Sequence, residues 1–225
     1  MIPSPPLASV RYTLDWSWED TVSQTGETGF AVESDLGFLV RVESGALISH
    51  TLQLVPCESP SPDSGLLGRL RRQVLPSAWA SDSSAHDPSA SPEPVAEGLG
   101  EPQESTLGPV VLEESIYCQL HYLVAPSEFG GTSLTLEAQV ETAEGSLPLS
   151  ISTPTAWAEM WPLGEVVPTD PEEPIHLEIQ AARRLASLFD GIDFSASLEE
   201  EDMARAILRN LFQGTTIDAH PTDAR

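Results

Sequence analysis

The chain consists largely of short runs in which apolar and polar residues alternate, which is the period of a β-strand. The clearest run places five apolar residues on one face: Val10, Tyr12, Leu14, Trp16 and Trp18. Comparable runs lie at 30–32, 36–43, 46–55, 110–112, 116–124, 134–140, 147–151 and 175–179. Turn residues separate several of these runs closely, so the pattern predicts antiparallel hairpins.

The period changes near the C-terminus, where residues 181–189 predict a short helix. A second helix is predicted after Ser197-Leu198-Glu199-Glu200, a capping box in which serine and glutamate satisfy each other's backbone amides. Its apolar stripe is Ala204, Ile207, Leu208, Leu211 and Phe212. Strands followed by two helices at about 181–213 predict a mainly β protein, an antiparallel β-sandwich with a two-helix C-terminal annex.

We expect one domain at 10–213, with a flexible N-terminus at 1–9 and a flexible tail at 214–225. Proline, serine and acidic residues dominate 58–106, which predicts a disordered or loop insertion because such a stretch buries little apolar area. Within it, the basic and apolar segment 65–75 predicts an amphipathic flap on the acidic body, with a partner-binding element as the next alternative and a membrane contact as the last.

A second feature outside the strand pattern is an aromatic cluster in an irregular segment. Its members are Trp157, Met160 and Trp161. Large aromatic side chains bury extensive apolar area, so we expect the cluster to cover an open end of the sandwich.

The charge of the chain excludes several classes of partner. The sequence has 35 acidic and 10 basic residues, all of the latter arginine, and a net charge of −25. Such a surface repels nucleic acid and anionic lipid, and it attracts metal cations and basic proteins. No run of eighteen apolar residues is present, so no membrane-crossing helix is expected. Sequence motifs for nucleophilic, phosphate-binding or zinc-protease chemistry are also absent, which favours a protein that is not an enzyme.

Both cysteines and two of the five histidines lie in two predicted strands. In regular strands the odd separations place Cys57 and His50, and likewise Cys118 and His121, on opposite faces. If the strands are neighbours, the cysteines can form a disulfide on one side while the histidines approach each other on the other. A cysteine pair of this kind indicates an oxidising compartment and an exported protein. The alternative is two buried free thiols in a cytoplasmic protein.

The histidines are the candidate metal ligands. His50 shares its predicted face with Leu52 and Leu54, so it is either a ligand or a buried histidine bonded to a backbone carbonyl. The same alternatives apply to His121, and His86, in a loop, is a candidate third ligand. Imidazole nitrogens suit copper and zinc equally well, so residue type does not choose the metal.

Several segments resemble exported proteins of deltaproteobacteria. They are Asp35-Leu36-Gly37-Phe38 through Leu54-Val55-Pro56-Cys57, the loop from Trp79 to His86, Tyr117-Cys118-Gln119-Leu120-His121-Tyr122-Leu123-Val124 and Leu188-Phe189-Asp190-Gly191-Ile192-Asp193-Phe194. More loosely, the chain is similar to the periplasmic copper-binding partners of di-haem peroxidase-like enzymes from methanobactin loci. The resemblance implies an exported β-sandwich that binds copper through histidines and is served or modified by a haem enzyme.

Together these observations predict an exported, non-catalytic protein that binds a transition metal, with copper preferred. The predicted ligands are His50, His121 and His86, and the predicted partner is a di-haem peroxidase-like protein. The alternative is a metal-free interaction protein, whose acidic surface and basic segment 65–75 recognise another protein. A hydrolase using paired carboxylates ranks last, because 35 acidic residues single out no particular pair.

Overall fold

The computed structural model describes residues 8–18, 22–24, 29–57, 89–113, 115–127, 131–143, 145–166 and 175–222. Its strands are β1 (Ser9–Ser17), β2 (Val22–Gln24), β3 (Phe30–Glu33), β4 (Leu39–Pro56), β5 (Val95–Gly98), β6 (Ser105–Val111), β7 (Tyr117–Val124), β8 (Leu134–Thr142), β9 (Gly145–Thr153), β10 (Trp157–Val166), β11 (His176–Arg184) and β12 (Thr216–Pro221). A single-turn 3₁₀ helix spans Leu185–Ser187, and helix α1 spans Glu200–Gln213. The prediction of a mainly β protein is therefore confirmed.

The strands form two sheets. The four-stranded sheet has the order β12-β11-β1-β6, and the eight-stranded sheet follows the path β10-β7-β4-β3-β2. Strands β5 and β8 also pair with β4, and β9 pairs with β8. Only β1 and β11 pair in parallel among the described strands; the remaining pairings are antiparallel. Both sheets and α1 contribute side chains to one continuous cluster of buried apolar residues.

Strand β4 organises the larger sheet. Its first half pairs with β3 and β8, and its second half pairs with β5 and β7. Irregularities in pairing occur between Val42 and Ser44 and between Ser49 and Thr51. A bulge inserts one extra residue and so changes which residues face the core. The buried residues of β4 accordingly change from even to odd positions after the first irregularity and return to even positions after the second. They are Val40 and Val42, then Leu47 and Ser49, then Leu52 and Leu54.

The prediction of a first helix at 181–189 is wrong. Residues 176–184 form β11, which continues as a strand through Ala181 and ends at Arg184, and only a 3₁₀ turn follows. Alanine and leucine suit a helix, but β11 alternates buried and half-buried residues and pairs with β1 on one side and β12 on the other. Pairing on both edges therefore decides the conformation of this segment.

The second predicted helix is present as α1, although its start differs from the prediction. The stripe of five apolar residues faces the core as expected, and Gly214 is the C-cap. The N-cap is Glu199, which makes no side-chain capping hydrogen bond, so Ser197 forms no capping box. Instead, Glu200 Oε1 accepts a 2.6 Å hydrogen bond from the backbone N–H of Ser152 in β9.

Three segments that were predicted to be irregular contain strands. The expected tail at 214–225 includes β12, which pairs with β11 along its length. The expected N-terminal linker at 1–9 ends in β1, where the Ser9 N–H donates to Ile175 O. Of the expected insertion at 58–106, residues 89–106 hold β5 and the start of β6. Proline and serine content indicated loops there, but pairing with longer strands supplies the hydrogen bonds that order these segments.

Candidate functional site

The two cysteines form the predicted disulfide. Cys57 follows the last residue of β4 and Cys118 lies near the start of β7, with their Cα atoms 4.9 Å apart. The backbone reinforces the link, because the Cys57 N–H donates a 2.6 Å hydrogen bond to Ile116 O. The disulfide therefore fixes the end of β4 against the start of β7, the two strands that carry His50 and His121.

The prediction that His50 shares a face with Leu52 and Leu54 is wrong. The bulge lies between Ser49 and Thr51, so His50 does not share a face with the buried residues that follow it in β4. Ser49 and Leu52 are buried, whereas His50 and Thr51 between them are both half-buried. The Nδ1 atom of His50 lies 2.9 Å from Thr51 Oγ1. The histidine therefore lies on the side of the sheet away from the core.

His121 lies on that same side, which we call the outer face. It alternates along β7 with the buried residues Leu120 and Tyr122. Its direct neighbours are Gln53 on β4 and Met160 on β10. Burial lowers the pKa of His121 below its ordinary value, so the imidazole is neutral at neutral pH. A neutral imidazole is the form that binds metal ions.

The two histidines are on the outer face but are not opposed to each other. His121 is opposite Gln53, three residues beyond His50 along β4. At about 3.3 Å per strand residue, this offset separates them by roughly 10 Å along the strand direction. Cross-strand pairing therefore does not bring the two imidazoles together. A shared metal ion would require both side chains to extend toward each other along the strands.

The other histidines are elsewhere. His86 lies outside the described residues, so its role as a third ligand stays a prediction. The Nδ1 of His176 is 2.8 Å from Ser9 Oγ, and His220 Nδ1 is 3.8 Å from Asp218 Oδ2, both on the four-stranded sheet. Within the ranges that the structure describes, no group of three or more histidine, cysteine or acidic side chains is arranged to hold a metal ion.

Met160 is a neighbour of His121 that the sequence did not identify. The segment of Trp157, Met160 and Trp161, predicted to be irregular, is part of strand β10. Trp157 and Trp161 pack against the core, while Met160 between them is 53% exposed. Pro162, the residue after Trp161, does not interrupt β10. Proline is tolerated here because β10 ends the path of the larger sheet.

A buried ion pair between the sheets was also missed. Arg183 on β11 is fully buried, and its guanidinium donates through Nη1 to Glu97 Oε1 at 2.7 Å and through Nη2 to Glu97 Oε2. Its Nε donates to Asp15 O at 3.2 Å. The guanidinium carbon lies 4.0 Å from the centroid of the Trp16 ring, a cation–π geometry.

Hydroxyl groups complete this network. Ser49 Oγ donates to Glu97 Oε1 at 2.5 Å and lies 2.6 Å from the hydroxyl of Tyr122, which also accepts a bond from Arg183. Burial raises the pKa of Tyr122, so its hydroxyl is protonated at neutral pH. Every charged group in the cluster is thus hydrogen-bonded and shielded from solvent, which indicates a structural link between the sheets rather than a site open to a ligand.

The lowered pKa of His121 predicts a pH dependence of stability. Because the folded pKa lies below the ordinary value of 6.5, the unfolded chain binds the proton first as pH falls. This contribution to stability is present above pH 6.5 and is lost as pH falls from 6.5 through the folded pKa. Urea unfolding of wild type and His121→Gln should therefore diverge below pH 6.5, with the steeper decline in wild type.

The control for this prediction is His220→Gln, on an exposed stretch of β12. It should follow the wild-type pH profile. Parallel profiles for wild type and His121→Gln would contradict the assignment of a half-buried imidazole with a lowered pKa.

A comparison of the chain with known protein families, curated proteins and solved structures finds no match. None of the described helices is long and apolar enough to cross a membrane. The functional assignment consequently depends on the residues of the outer face.

Proposed function

We propose that this chain is an exported, non-catalytic protein that binds a transition metal, preferably copper, on the outer face of β4 and β7. The observation that supports it best is the half-buried His121, whose pKa is lowered and which occupies the middle of β7 beside the strand that carries His50. Such an imidazole is neutral and fixed by its strand, so little free energy is spent on deprotonating or ordering a ligand.

Three further features agree with this proposal. The net charge of −25 raises the local concentration of cations around the protein. The Cys57–Cys118 disulfide is the kind of link that persists in an oxidising compartment, in agreement with export. The likeness to copper-binding partners of di-haem peroxidase-like enzymes supplies the preference for copper and suggests such an enzyme as partner.

The proposal includes two finer points. We take the two sheets to face each other as a β-sandwich, because one apolar cluster and the Arg183–Glu97 pair connect them. We also retain His86 as the third ligand, since two imidazoles leave copper with open coordination positions.

Metal titration of the purified protein tests this function. Isothermal titration with Cu(II), and with Zn(II) for comparison, should give one site per chain for the wild type. His121→Ala is expected to weaken copper binding at least tenfold, and His50→Ala and His86→Ala are expected to weaken it too. His220→Ala is the matched control, since this histidine lies on the other sheet. Unchanged stoichiometry and affinity in both His50→Ala and His121→Ala would refute the site.

The metal-free alternative has one observation in its favour. A groove of about 180 Å³ runs beside the edge strand β9, and its lining includes Leu147, Leu149, Leu198 and Met203. The acidic first turn of α1 adjoins the groove. An apolar groove with an acidic rim suits a basic, amphipathic partner. A protein that binds neither copper nor zinc in the titration would favour this interaction function.

A further inference from the structure

We propose that the metal held on the outer face is Cu(I), and that Met160 is a ligand to it together with His121. This inference rests on the proposed function and names a further ligand and the oxidation state of the metal. It begins from the pairing of β7 with β10, in which Met160 stands directly opposite His121.

The register places the two side chains next to each other on one face of the sheet. Directly opposed residues of an antiparallel pair share a face, with Cβ atoms about 4.5–5.5 Å apart. Metal–nitrogen and metal–sulfur distances of about 2.0 and 2.3 Å are compatible with that separation, because both side chains are long enough to converge above the sheet. A shift of one residue in register would place the two side chains on opposite faces.

The exposure of Met160 is the second observation. Its neighbours on β10, Trp157 and Trp161, are partly buried against the core, so strand alternation directs Met160 outward. The residue is 53% exposed, although the thioether side chain is apolar and its burial is favourable. Exposure of an isolated apolar side chain is common in proteins. The coincidence with a half-buried imidazole directly opposite on the adjacent strand is what points to a ligand pair.

The chemistry of the pair selects the metal. A thioether is a soft, neutral donor that favours Cu(I), whereas Zn(II) and Mg(II) prefer thiolate, imidazole or oxygen ligands. A site that combines imidazole with a thioether, both neutral donors, therefore suits Cu(I) better than a divalent ion.

Competition with bicinchoninate under anaerobic conditions, with ascorbate as reductant, measures the Cu(I) affinity of the intact protein. Met160→Leu keeps the volume of the side chain and removes the sulfur, so the fold should be retained. We expect it to weaken Cu(I) binding at least tenfold and to leave Zn(II) binding unchanged. The control is Met203→Leu, at the start of α1 beside the groove, which should bind Cu(I) like wild type.

X-ray absorption of the Cu(I)-loaded protein provides a second measurement. Wild type and Met203→Leu should show a copper–sulfur distance of about 2.3 Å that is lost in Met160→Leu. Wild-type Cu(I) affinity and an unchanged absorption spectrum in Met160→Leu would overturn the inference. If His121→Ala still weakened copper binding in that case, the proposed function would stand without the thioether. If His50→Ala and His121→Ala also bound copper normally, both proposals would fail.

Discussion

Replacement of Arg183 by methionine is expected to lower the free energy of unfolding by about 3–5 kcal/mol, because it leaves the Glu97 carboxylate buried without its partner. Both side chains are inaccessible to solvent, at 0% and 2% exposure, and the guanidinium contacts Glu97 through two nitrogens. The same substitution removes the cation–π contact with Trp16 and the bond to Asp15 O. Urea unfolding at neutral pH measures the loss.

Two variants test the cause of this effect. The double variant Arg183→Met with Glu97→Leu removes both charges and should be more stable than Arg183→Met alone, because no isolated charge remains buried. The surface pair Arg41–Glu141, whose side chains are 44% and 49% exposed, supplies the matched control. Arg41→Met should cost at most about 1 kcal/mol. A similarly small loss in Arg183→Met would contradict the importance of the buried pair.

Removal of the disulfide is expected to have an effect of comparable size. The bond links residues 61 positions apart, and closing a loop of that length restricts the unfolded chain by about 4 kcal/mol in the chain-entropy treatment. The variant Cys57→Ser with Cys118→Ser should therefore unfold at a markedly lower urea concentration than the oxidised wild type. The Cβ positions remain and serine is close in size, so native packing changes little.

The oxidation state of the wild type provides the control. Alkylation without reductant followed by mass spectrometry should find no free thiol, and reduced wild type should match the serine double variant in stability. Equal urea midpoints for the oxidised wild type and the serine variant would show that the bond does not contribute to stability.

Period-two alternation identified strands whose burial is itself regular. Strand β1 buries Val10, Tyr12, Leu14 and Trp16, and β8 buries alternate residues along most of its length, as the pattern predicts. The apolar stripe of α1 was predicted equally well, because one face of a helix must pack against the sheets. The conformation of 181–189 could not be predicted in this way, because its small and branched apolar residues are compatible with both the strand period and the helix period. Its neighbours β1 and β12 determine that its first four residues, 181–184, are strand.

The positions of the candidate ligands were likewise predicted only in part. Alternation placed His121 on the opposite side of β7 from its buried residues, but the bulge at Ser49–Thr51 changed the face of His50. A bulge depends on the partner strand, so the sequence of β4 alone does not indicate it. The neighbour Met160 is 39 positions away in the chain, and it reaches His121 only through the pairing of β10 with β7.

By itself, the sequence determined the mainly β class, most strands and the core face of α1, because these follow from local periodicity and residue type. Tertiary structure alone decided the order of strands in the sheets, the conformation of 181–184 and the pairs Arg183–Glu97 and His121–Met160. The physical reason is that register and burial between distant segments are set by the free energy of packing the whole chain, which no short stretch contains.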